Sequence, residues 1–105
     1  MNRCLMLLSL ATLAACSPAE LADKVSRRAA ESVVQPVVNI DMPADVADQA
    51  TTCLLDAASP AEVDALARDV GVEAGSSTKA RIRELALRPA AAACFAANGV
   101  PPLKA

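Results

Sequence analysis

Four thiols carry the distinctive chemistry of this 105-residue chain: Cys4, Cys16, Cys53 and Cys94. The chain has no histidine, so it lacks the usual general base near neutral pH and the usual imidazole ligand. No two cysteines stand in the C-x-x-C spacing of redox-active pairs. A zinc site built on Cys53 and Cys94 would need two more ligands, and no histidine is present to supply them. Ser59, Ser76 and Ser77 each stand where a helix is expected to start, which gives them a capping role. The carboxylates fall on expected solvent faces, where nothing need shift their pKa values. A chain this small also leaves little room for a pocket. These residue types predict a protein without catalytic residues, cofactor or metal.

Cys16 closes a stretch with its own physical logic. Arg3 supplies a positive start. Leu5, Met6, Leu7, Leu8, Leu10 and Leu13 then build an apolar run of about ten residues. Such a run is too short to cross the roughly 30 Å hydrocarbon core as a helix. It suits a segment that is later removed. Leu13-Ala14-Ala15-Cys16 follows. The whole stretch resembles the signal peptide and lipobox of a bacterial lipoprotein precursor. The resemblance implies that the Cys16 thiol takes a diacylglycerol, that cleavage falls just before it, and that its new amine is acylated. Residues 1–15 are then a signal peptide. The other reading is an ordinary secretory signal with Cys16 free or paired, but cleavage before Cys16 would put bulky Leu13 at the −3 site. Ser17 stands where an aspartate would favour inner-membrane retention, so the resemblance implies the outer membrane. Several acyl chains anchor stably where one would be marginal. The partners implied are the lipid bilayer, through acylated Cys16, and an envelope protein. A net charge of −2 argues against a general nucleic-acid binder.

On that reading Cys4 leaves with the signal and Cys16 carries lipid. Cys53 and Cys94 remain in an oxidising compartment, which predicts a bond between them. Closing so long a loop stabilises the fold by about 4 kcal/mol through the entropy of the unfolded chain. The core needs such a staple, because alanine dominates and Phe95 is the only aromatic residue.

The elements that must position these cysteines read as helices. Ser17-Pro18-Ala19-Glu20 has the form of a capping box and predicts a helix to about residue 35, stopped by Pro36. Its apolar stripe of Leu21, Val25, Ala29 and Val33 is narrow, which suits a polar spacer or a helix lying on a membrane or partner. Residues 33–43 are β-branched and carry two prolines, so they read as an extended linker. A second helix is expected from Pro43 or Ala44 to about Ala58, capped by Asp41 or Met42, with Cys53 on its buried side. Ser59-Pro60-Ala61-Glu62 repeats the capping pattern and predicts a third helix with Val63, Leu66, Ala67 and Val70 facing inward, ended at Gly71. Ser77 or Thr78 is expected to cap a fourth helix to about Arg88, with Ile82, Leu85 and Ala86 inward. Residues 90–97 form a last helix carrying Cys94 and Phe95, ended by Asn98-Gly99.

The expected architecture is all-α: a small helical domain of about four short helices stapled by one disulfide, preceded by a signal peptide and a spacer helix. Residues 1–15 are the signal, 16–43 the lipidated N-terminus, spacer helix and linker, and 44–105 the helical domain. Charge is segregated within that domain. Acids crowd 41–73, while bases follow from Lys79 onward. Lys79, Arg81 and Arg83 are the candidate anion patch, for lipid headgroups or an acidic partner. The simpler reading is solvated faces of neighbouring helices, since exposed pairs contribute roughly 0–1 kcal/mol each.

These features predict a membrane-anchored envelope lipoprotein with a structural or protein-interaction role. The alternatives are a periplasmic stress chaperone or an inhibitor-type binding module. From Cys53 to Cys94 the plan is similar to that of the small helical acid-stress chaperones of the bacterial periplasm, in which one disulfide joins an early helix to a late one. A ligand module would show a pocket lined by Leu54, Leu66, Ile82 and Phe95, whereas a packed core would show none.

Overall fold

Proline marks the start of four of the five helices. Its fixed φ and missing N–H suit the first helical turn, where that donor has no partner in any case. The computed structural model describes residues 18–71 and 75–103. The helices are α1 (Pro18–Val38), α2 (Ala44–Ala57), α3 (Pro60–Ala67), α4 (Ser76–Ala86) and α5 (Pro89–Asn98). No strand occurs among the described residues, and the fold is all-α as expected. The signal segment, Cys16 and the Ser17 cap lie outside the described residues, as do residues 72–74 and 104–105.

The largest departure from expectation is α1. It does not stop at Pro36 but runs through it to Val38. Proline inside a helix removes one N–H and clashes with the carbonyl four residues back. Here that carbonyl belongs to Ser32, and Ser32 and Pro36 are both solvent-exposed, so the proline sits on the side of the helix open to water. The gain comes from the opposite face. Ala30, Val33, Val34 and Val38 are buried, and Met42 follows them into the core from the turn after the helix. Residues 16–43 were expected as a spacer and extended linker. The structure corrects this: the second half of α1 and Met42 are core, and a boundary at 43/44 divides one hydrophobic cluster.

α1 lies along α3 and α2, α2 packs on α5, and α4 joins α2 and α5. Leu54, Leu66 and Leu85 are fully buried at the centre, with Leu55 and Ile82 beside them. Each such side chain stabilises the fold by about 1.5–3 kcal/mol relative to exposure. Ala47, Ala50 and Ala91 are also wholly covered, which lets the helix axes approach closely. Val70, expected inward, is 47% exposed, because α3 ends at Ala67 and the chain turns away.

The local signals at helix ends divide. Ser59 builds the expected capping box: its Oγ accepts from the Glu62 N–H, and Glu62 accepts from the Ser59 N–H. At the end of α5, Gly99 takes the left-handed conformation (φ 67°), and the Val100 N–H donates to the Phe95 carbonyl at 2.9 Å. Val100 is thereby folded back into the core. The cap of α2 is Pro43, not Asp41 or Met42, since Met42 is drawn inward. The cap of α4 is Gly75, with no side-chain hydrogen bond. Ser77 and Thr78 lie inside that helix. The Thr78 hydroxyl is buried and donates to Asp69 Oδ2 at 2.7 Å, which ties α4 to the turn after α3.

Candidate functional site

Cys53 lies on the buried face of α2, four residues before the end of that helix, and Cys94 sits midway along α5. Their sulfurs are bonded, with Cα atoms 5.6 Å apart and a sequence separation of 41. The expected Cys53–Cys94 pairing is therefore present. Its environment suits a staple. Cys53 is 2% exposed and Cys94 half-buried. The Asn98 amide donates to the Cys94 carbonyl at 2.8 Å and covers the outer side of the bond, 3.7 Å from the Cys94 sulfur.

The three candidate anion-binding residues lie on α4 but do not form one patch. Lys79 and Arg83 are four residues apart, so they share a face, and both are exposed. Arg83 Nε donates to the Lys79 carbonyl at 3.4 Å. Arg81, two residues from each, points to a different face and is half-buried. The i, i+2, i+4 spacing that groups three bases in sequence separates the middle one on a helix. Lys79 and Arg83 border a recess of about 200 Å³ that also holds Asp41, Val37 and Ile40.

Two polar constellations escaped the sequence reading. The first is Arg88 with Glu62. Arg88 Nη1 and Nη2 donate to Glu62 Oε1 and Oε2, and Nη1 also donates to the Ala57 carbonyl. The Arg88 guanidinium, followed by the Ser59 N–H, holds the Glu62 carboxyl down at about 2, well below its ordinary 4.5. The Arg88 guanidinium is held still more firmly protonated by Glu62. The signal for this pair was the capping box itself, whose N3 carboxylate has oxygens to spare for a cation. The second is Arg27 with Asp56, 2.7 Å apart, which links α1 to the end of α2.

An apolar groove of about 430 Å³ runs beside α5, with Phe95, Ala96 and Val100 along it and Leu87 at its edge. Leu87 is 84% exposed. Leu54 and Leu66, by contrast, are wholly enclosed in the core, so the four-residue pocket anticipated for a ligand module does not form around them. Among the described residues no grouping of three or more His, Cys, Asp or Glu could hold a metal ion. No described helix is long and apolar enough to cross a membrane. No protein-family model, curated protein or solved structure matches the chain.

Proposed function

We propose that this chain is a bacterial envelope lipoprotein, held to a bilayer through acylated Cys16, with a structural or protein-interaction role and no catalysis. The observation that carries the reading is Leu13-Ala14-Ala15-Cys16 placed directly after Arg3 and a short apolar run. The Cys53–Cys94 bond supports it, because structural disulfides persist outside the reducing cytoplasm. Ser17 beside the anchor cysteine favours the outer membrane, with the helical domain facing the periplasm. The partners of this reading are the bilayer and an envelope protein met through the helical surface.

The test is the mass of the mature protein. The full chain is produced in a bacterial cell, recovered from the membrane fraction and weighed intact. The expected species begins at Cys16 and carries a diacylglycerol and a further acyl chain. Cys16→Ser should leave the precursor unprocessed and without lipid. A chain cleaved before residue 16 but carrying no fatty acid would overturn the reading. Chemical crosslinking in intact cells, followed by mass spectrometry of the captured species, then identifies the envelope partner.

A further inference from the structure

Two recesses meet on the side of the bundle formed by α4, α5 and the chain after α5. The larger, of about 430 Å³, is lined mainly by Leu87, Phe95, Ala96, Val100 and Pro102. The smaller, of about 200 Å³, holds Lys79 and Asp41. Arg83 and Leu103 line both, so the two adjoin. The result is an apolar groove bordered by Arg83, with Lys79 in the recess beside it. Among the described residues neither Lys79 nor Arg83 takes part in an ion pair. Among those residues the Arg83 guanidinium donates only through Nε, to the Lys79 carbonyl. Among the described residues its two terminal nitrogens have no hydrogen-bond partner, and Arg83 lines both recesses. Asp41 lies across the smaller recess, and the two cations outnumber it.

We propose that this groove binds a single-chain fatty acid, with the acyl chain along Phe95 and Val100 and the carboxylate held by Arg83 and Lys79. The apolar stretch accounts for the chain, and the Arg83 guanidinium accounts for the head. A purely apolar ligand would leave Arg83 without a role, and a soluble anion would leave Leu87 and the groove without one. The volume is toward the lower end of those that hold small molecules, which suits one chain. A planar guanidinium matches a carboxylate through two parallel hydrogen bonds. The proposal does not depend on Cys16 or on what that residue carries.

The test uses the protein as cells deliver it, in phosphatidylcholine vesicles if it is membrane-bound and in buffer if it is not. A palmitate analogue with a photoreactive group near its chain end is added, illuminated and mapped by mass spectrometry. The expected label falls between Leu87 and Leu103 and is displaced by palmitate but not by an equal amount of hexadecanol. Arg83→Gln should weaken half-saturation by about tenfold, the loss of one charged hydrogen-bonding partner. Leu87→Glu should abolish the label, and because Leu87 is exposed the helical circular dichroism should be unchanged. Label spread evenly along the chain, or concentrated at Leu21 and Val25, would show bilayer partition and overturn the proposal. So would equal displacement by hexadecanol, or a groove closed by a second copy crosslinked through position 87.

Discussion

Both carboxylate oxygens of Glu62 are held by the terminal nitrogens of Arg88, at 2.7 and 2.5 Å, and the same guanidinium reaches the Ala57 carbonyl at 3.1 Å. One side chain thus ties the end of α2, the first turn of α3 and the junction between α4 and α5. Glu62 also completes the Ser59 capping box. The pair therefore links the ends of four short helices, where the core itself is thin.

The first prediction concerns acid. Glu62 titrates at about 2 in the folded chain against 4.5 ordinarily. A carboxyl whose pKa falls on folding stabilises the fold while it is ionised. That stabilisation is complete above about pH 4.5 and fades as the pH drops toward about 2. Urea midpoints measured through that window should fall in the native protein. Glu62→Gln should begin lower at neutral pH and show a smaller fall. Parallel curves for the two proteins would show that the pair does not govern acid stability.

The second concerns the cap alone. Ser59→Ala removes the oxygen that accepts the Glu62 N–H but leaves the carboxylate free to hold Arg88. The expected loss is about 1 kcal/mol, or a fall in melting temperature of about 4–8 °C for a domain this size. Thermal unfolding followed by circular dichroism measures it. An unchanged melting point would mean that Pro60 and the Arg88 pair position α3 without the hydroxyl.

The third concerns the staple. Reducing the Cys53–Cys94 bond, or replacing both cysteines by alanine, returns entropy to the unfolded chain. The loss expected for a sequence separation of 41 is about 4 kcal/mol. Denaturant midpoints with and without reductant give the value. The double alanine variant should sit close to the reduced protein. Reduction without any shift would show that packing of α2 on α5 is sufficient alone.

What could be read from the chain was whatever depends on a few neighbouring residues. The Ser59-Pro60-Ala61-Glu62 box, the glycine stop at Gly99 and the existence of five helices are local chemistry, and they are present as the sequence indicates, although the end of α1 is not where it was expected. Cys53 and Cys94 were readable as a pair because few other fates remained for them. The failures are tertiary. Val33-Val34 and Val37-Val38 around Pro36 carry strand propensity, yet burial against α2 and α3 keeps them helical, because propensity is a weak prior beside a covered face. Thr78 is an ordinary cap by type, but its hydroxyl is claimed by Asp69, nine residues away. The groove beside Leu87 was unreadable for the same reason: its far wall is the chain after α5, placed only once Gly99 has turned it.

The last prediction separates a spacer helix from a structural one. Val25 and Val34 both lie on α1, one 69% exposed and the other wholly buried. If residues 16–43 merely joined an anchor to a domain, aspartate at either position would leave unfolding unchanged. The structure requires otherwise. Val25→Asp places a charge in water and should move stability by no more than about 0.5 kcal/mol. Val34→Asp puts a carboxylate into the buried cluster that holds Leu54 and Leu66 and contains no cation. It should cost several kcal/mol, enough to erase most of the stability of a domain this small. Urea unfolding of the two variants beside the native protein decides the matter. Similar midpoints for Val34→Asp and the native chain would return α1 to the role of a tether, and the core would then have to close on α2 to α5 alone.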